Sequence, residues 1–117
     1  MEIRYYTRAN GTRPVEEFLR RLPAGDRVRV VAKIELLAEH GHRLDRPHAG
    51  TLRDGIRELR TRTNHGQYRI LYFIFYRDTA VLLDGIRKTS RRVPDAAIER
   101  AIEYRQDYEQ RHTKEQR

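Results

Sequence analysis

Residues 56–88, IRELRTRTNHGQYRILYFIFYRDTAVLLDGIRK, restrict the fold more than any other part of the chain. Val, Ile, Leu, Tyr and Phe fill 68–76 and 80–86. These residue types suit a pleated, largely buried surface, so the run reads as three consecutive β-strands. Asn64-His65-Gly66 supplies the first turn, with Gly66 able to take positive φ, and Arg77-Asp78-Thr79 supplies the second. Yet arginine recurs along these strands, at Arg57, Arg60, Arg62, Arg69 and Arg87.

Register turns the arginines into a geometry. A loop over 63–66 sets Arg62 opposite Gln67 and Arg60 opposite Arg69, with Glu58 beside Leu71 on the same face. A three-residue second turn, 77–79, pairs Tyr76 with Ala80 and sets Arg69 opposite Arg87. A two-residue turn would flip the last strand and send Arg87 to the other face. The three-residue turn is the expectation. It puts Glu58, Arg60, Arg69 and Arg87 on one face, around a centre lined by Leu71 and Phe73. Like charges across a sheet repel, so converging arginines point to a bound anion, phosphate first. A single sheet arginine is more simply explained by a stem lying on apolar surface with its head in water. Several on one face, matched by Glu58 alone, go beyond that.

The rest of the chain supplies helices. Residues 1–7 read as a strand ended by Asn10-Gly11. Pro14 opens a helix with Val15, Phe18, Leu19 and Leu22 on one stripe, and Pro23 stops it. A second helix runs from Asp26, as N-cap, to His40, with Val31, Ile34, Leu37 and Ala38 inward and Gly41 as C-cap. The pair forms a hairpin over one sheet face. Residues 41–55 read as a loop, and 89–93 as a basic linker with Arg91 and Arg92. Pro94 opens a last helix to Gln110, carrying Ala97, Ile98, Ala101, Ile102, Tyr104 and Tyr108. The order is β-α-α-β-β-β-α: an α+β domain over 1–110 with a mostly antiparallel four-stranded sheet, followed by a polar tail, 111–117.

Composition excludes some functions. Without cysteine there is neither a disulfide framework nor a thiolate metal site. His40, His42, His48 and His112 show no ligand spacing, so no metal and no cofactor are expected. No apolar run approaches the ~20 residues of a membrane span, and the N-terminus lacks the apolar stretch of a signal peptide, so a cytoplasmic protein is expected. The net charge of +8 rests on arginine, since the lysines are only Lys33, Lys88 and Lys114. It points to a nucleic acid or an acidic protein as partner.

The run Glu58-Leu59-Arg60, Tyr68-Arg69-Ile70-Leu71-Tyr72-Phe73, Leu82-Leu83, Arg87-Lys88-Thr89, Pro94, Ile98-Glu99 and Ala101 resembles the RelE/HigB superfamily of type II toxin–antitoxin toxins. It is most similar to the phage-derived HigB-like branch, over 5–108. The resemblance implies a RelE-like fold and a ribosome-dependent mRNA endoribonuclease that promotes attack of a ribose 2′-OH on the adjacent phosphate. It makes Arg69 the phosphate-contacting arginine, Arg87 or Lys88 the basic residue ending the last strand, and Arg60 the arginine of the second strand. Glu58 stands where RelE itself carries lysine and the HigB-like branch glutamate. The family's C-terminal Tyr or His has no clear occupant: Val93 and Pro94 stand about there, and Tyr104 and Tyr108 read as packing residues.

RNA transesterification needs a base, an acid and cations for the phosphorane. Glu58 is the best-placed base candidate, although an ion pair with Arg60 or Arg69 explains it more simply. His65 is expected at the rim of the same face, with a solvated turn residue as the plainer explanation. Arg57, Arg62, His65, Arg91 and Arg92 are expected to contact RNA. Tyr68 and Tyr72 are expected in the core rather than stacked on bases. The resemblance also implies a helix-turn-helix antitoxin. This partner would cover either the arginine face or, as the HigB-like relatives favour, the helix side bearing Arg8, Arg13, Arg20, Arg21, Arg27 and Arg29. Two other functions fit the chain: a toxin of this fold that acts on DNA gyrase, and a plain RNA- or DNA-binding module.

Overall fold

The computed structural model describes residues 1–89 and 91–113. Its elements are β1 (Glu2–Tyr5), α1 (Pro14–Arg21), α2 (Ala24–His40), a 3-10 turn (Gly41–Arg43), β2 (Ala49–Thr51), β3 (Arg57–Thr63), β4 (Gly66–Phe75), β5 (Thr79–Lys88) and α3 (Asp95–Arg111). The α+β class is as expected, but the sheet has five strands, in the order β1-β5-β4-β3-β2. The extra strand comes from residues expected to be a loop: Gly50 lies opposite Glu58, antiparallel. Ala-Gly-Thr carries no strand signal of its own and is extended by its pairing with β3. β1 runs parallel to β5, with Ile3 opposite Ala80, so the sheet is mixed.

The β3–β4 register follows the sequence expectation, with Arg60 opposite Arg69 and Glu58 opposite Leu71. The β4–β5 register does not. Phe75 pairs with Thr79, so the turn is Tyr76-Arg77-Asp78, with Tyr76 and Arg77 at φ 65° and 83°. Tyr72 then faces Leu82 while Leu71 faces Asp84, a one-residue bulge. Moving the turn slides β5 by an even number of residues and preserves its faces. The bulge adds one residue and reverses them beyond Leu82. Arg69 therefore faces Ile86, Tyr68 faces Arg87 and Gln67 faces Lys88. The expectation for Arg87 is corrected: it leaves the Arg69 face, and Lys88 takes that place.

The hairpin of α1 and α2 covers one face. Val15, Leu19, Leu22, Val30, Ile34 and Leu37 pack on Leu59, Tyr68, Ile70, Tyr72, Ala80 and Leu82. Tyr68 and Tyr72 are core residues, at 3% and 1% exposure. Val30, rather than the expected Val31, is the fully buried member of that turn of α2. On the other face α3 lays Ile98, Ala101 and Tyr108 on Leu71, Phe73, Phe75, Val81 and Leu83. Tyr108 meets Phe73 and Phe75 edge-on, at 5.9 and 5.1 Å between ring centres. The face centred on Leu71 and Phe73 is thus roofed by α3.

Helix α2 starts at Ala24 with Pro23 in the cap position, and Asp26, the expected cap, turns toward the sheet. Its carboxylate is 4% exposed and accepts from Tyr68 Oη at 2.6 Å and Thr63 Oγ1 at 3.1 Å, with His65 Nδ1 3.1 Å from its other oxygen. The Tyr68 bond foremost, then His65 and Thr63, hold the Asp26 carboxyl below its ordinary range against the opposing effect of burial. The same bond pushes the Tyr68 phenol up. A carboxyl depressed in the folded state adds stability above its unfolded pKa, and that stability is lost as the pH falls. Asp26→Asn is therefore expected to lower Tm at neutral pH and to flatten the decline of Tm below about pH 4. Thermal melts across the acid range check this; an unchanged acid limb would refute it.

The first residue of the expected tail belongs to α3. Arg111 ends the helix and donates to the Thr7 carbonyl and to Asp107 Oδ2. Residues 114–117 of the expected tail, and Ser90 of the expected linker, lie outside the described residues. Among the described residues no helix is long and apolar enough to cross a membrane.

Candidate functional site

α3 covers only part of its sheet face. Beside its N-terminus an open cleft of about 700 Å³ lies between the ends of β3, β4 and β5, the edge after β2, and the segment 91–95. Six cations line it (Arg53, Arg60, Arg69, Lys88, Arg91 and Arg92) against two carboxylates, Glu58 and Asp95. That imbalance suits a ligand with more than one negative charge.

Glu58 organises the floor. It is 5% exposed, and Arg69 is only 7% exposed. Arg69 Nε lies 2.7 Å from Glu58 Oε1. The pair is off line, so it is an ion pair in which neither atom makes a hydrogen bond. Arg69 instead donates to its neighbour's carbonyl at Tyr68, 3.1 Å, and to Gln67 Oε1, 3.3 Å. Arg60 reaches Glu58 Oε2 with its terminal nitrogen at 3.2 Å and Nε at 3.4 Å. One carboxylate thereby aims two guanidiniums, and with both oxygens engaged it acts as their orienter. Burial foremost lowers the pKa of Arg69, against Glu58, which raises it. Burial foremost also lowers that of the Lys88 ammonium, with Arg69, Arg60 and Arg62 adding to the effect and Glu58 opposing it.

Gly50 makes room for this arrangement. A Cβ there would stand 2.5 Å from a terminal nitrogen of Arg60. Since that atom ends a flexible side chain, Gly50→Ala is expected to leave the fold intact and to push Arg60 off Glu58. Affinity for a short RNA oligonucleotide, the ligand class expected from the sequence, should fall about tenfold, or ~1.4 kcal/mol. Unchanged affinity in a titration would show that Arg60 has room to spare.

The expected site residues divide. Glu58, Arg60, Arg69, Lys88, Arg91 and Arg92 come together in the cleft. Arg87 lies on the hairpin face, where it donates to the His65 carbonyl and passes over Gly66, whose φ is 152°. A Cβ at Gly66 would meet Arg87 Nε at 2.8 Å. His65 points to Asp26 and so sits away from the cleft. Arg57 also turns to the other side, donating to Tyr72 Oη at 3.1 Å and Thr51 Oγ1 at 2.8 Å. Arg62 is exposed and lines a neighbouring groove with Arg60 and Arg69. Sequence reasoning missed Arg53, which pairs with Asp54 at 2.7 Å and Glu99 at 3.8 Å. It missed Thr51 too, since both lie in the segment read as loop. Among the described residues no group of three or more His, Asp or Glu is placed to hold a metal ion.

A small basic α+β domain with an arginine cleft at the open end of its sheet is thus the class that fold and site define. Residues 17–106 match the model of the family described as phage-derived protein Gp49-like (DUF891), and the chain belongs to that family. No curated protein matches it.

Proposed function

We propose that this protein is the toxin of a type II toxin–antitoxin system, allied to RelE and HigB, and an endoribonuclease that cuts mRNA on the ribosome. The observation that carries the reading is the pair of guanidiniums, Arg60 and Arg69, aimed by a buried carboxylate beside Lys88. In the reaction the ribose 2′-hydroxyl gives its proton to water, its oxygen bonds to phosphorus and the bond to the 5′-oxygen breaks, leaving a 2′,3′-cyclic phosphate and a 5′-hydroxyl. Arg60 and Arg69 donate to the phosphorane oxygens, where charge develops, and so serve in place of a metal ion. Lys88, its ammonium pKa lowered by burial, is suited to hand a proton to the departing 5′-oxygen. Arg91 and Arg92 hold the flanking backbone at the mouth.

The reading places the protein in the cytoplasm and requires a helix-turn-helix antitoxin with an acidic surface. On the helix side, Arg27 is already engaged with the Leu19, Arg20 and Leu22 carbonyls. The test is translation of a reporter mRNA in a purified system, with 5′-end mapping. Cuts confined to translating ribosomes support the proposal. Cuts in naked RNA would make it a free ribonuclease, and RNA binding without cuts a plain binding module. Loss of DNA supercoiling without RNA cuts would make gyrase the target. Ribosome co-sedimentation should also weaken steeply with salt, because neutralised phosphates release counterions.

A further inference from the structure

The cleft has a continuation. At Arg60 and Arg69 it meets a second groove, of about 580 Å³, that runs past the edge of β3 onto α2. β2 pairs with only 57–59 of β3, so beyond Arg60 no strand covers that edge. Among the described residues five cations line the groove, Arg29, Lys33, Arg60, Arg62 and Arg69, and no carboxylate does. Lys33 Nζ lies 2.7 Å from His48 Nδ1, a contact that needs that ring nitrogen unprotonated. Burial lowers the Lys33 pKa, and among the described residues no carboxylate pairs with it. Arg29 makes one long contact, 3.4 Å, to the Arg62 carbonyl.

Helix α1 is the contrast. Arg13 and Arg20 share Glu16 at 2.9 and 2.5 Å, and Arg21 lies 3.8 Å from Glu17. Arg13, Arg20 and Arg21 thus each have a carboxylate of α1 within reach, whereas among the described residues Arg29, Lys33 and Arg62 of the α2 groove have none. Of its lining residues only Ala32 and Pro47 are apolar in type. Guanidiniums shared with the cleft favour an anion that runs continuously from one to the other.

We propose that this groove is a second phosphate subsite, which with the cleft takes consecutive phosphates of one single-stranded polynucleotide. The inference rests on the nucleic-acid reading of the cleft. The phosphate at Arg69 is the one that reacts, and the one at Arg29, Lys33 and Arg62 is only held. Such a site prefers a chain to a mononucleotide.

The test compares the parent with Arg29→Gln/Lys33→Gln, whose folding is checked by Tm. Three probes are titrated over a salt series: a 3′-mononucleotide, a 2′-deoxy-blocked RNA octanucleotide and a polyglutamate peptide. The variant should bind the octanucleotide about tenfold more weakly, with a salt slope smaller by about 0.7, the share of the one phosphate held there. It should bind the mononucleotide as the parent does. Arg62→Gln, on an exposed position, should shift the slope in the same direction, and serves alone if the double variant melts early. An unchanged octanucleotide slope overturns the subsite while leaving the cleft reading intact. Equal losses for octanucleotide and mononucleotide overturn it as well, since the groove would not be a separate site. A loss confined to polyglutamate makes the groove a protein contact instead. A parent that binds neither nucleotide removes the cleft reading and this one together.

Discussion

Arg69→Ala is expected to slow mRNA cleavage on ribosomes by about 10²–10³-fold, the effect of removing one preorganised transition-state donor. The loss should not come from unfolding alone, although the side chain is not the exposed group its place beside an arginine-rich strand would suggest. At 7% exposure its truncation opens a gap and frees Glu58 Oε1, while Glu58 Oε2 keeps Arg60. A partly compensated buried carboxylate costs about 1–3 kcal/mol, which many domains of this size survive. Arg69→Lys separates the two effects. It keeps a positive charge near Glu58 but loses the planar fork, so Tm should recover further than cleavage. The expectation fails if folded Arg69→Ala cuts mRNA at the parent's rate.

How much of this was legible without coordinates follows from which interactions are local. The β3–β4 register depends on one short turn, and Gly66 marks it, so Arg60 opposite Arg69 is readable from the sequence. The β5 register depends on a bulge opposite Leu71 and Tyr72, and nothing in Leu82-Leu83-Asp84 announces an extra residue. Both Val81 and Leu83 are apolar and fully buried, so alternation alone fits several registers. Arg87 and Lys88 are adjacent and both basic, which is why a one-residue slip exchanges them without changing the charge of the face. β2 is illegible for a different reason: three small or polar residues become a strand only because β3 offers them an edge. Burial of Arg69 was hidden too, since it depends on Gln67 and Glu58 closing around the guanidinium.

Glu58→Ala should be the most destabilising change at the site, by about 3–5 kcal/mol. The side chains of Glu58 and Arg69 are 7% and 8% exposed, so removing the carboxylate leaves a guanidinium buried without its counter-charge. Arg60, at 32%, has water to turn to. Glu58→Gln is the informative partner of this variant. It keeps the shape and one acceptor oxygen for a guanidinium, and sacrifices the charge. If Glu58 takes the 2′-hydroxyl proton, the amide has nothing to take it with, and cleavage should collapse as far as in the alanine variant while the protein stays folded. If Glu58 aims Arg60 and Arg69, the amide should retain a measurable share of cleavage, within about tenfold to a hundredfold of the parent, the ~1.4–2.7 kcal/mol of a weakened donor pair. The pH–rate profile should then keep its shape, because the titrating groups are elsewhere. The geometry favours the second outcome, since both carboxylate oxygens lie in ion pairs, with Arg60 and Arg69, on a side chain only 7% exposed. A folded Glu58→Gln that has lost all activity would move Glu58 from orienter to base.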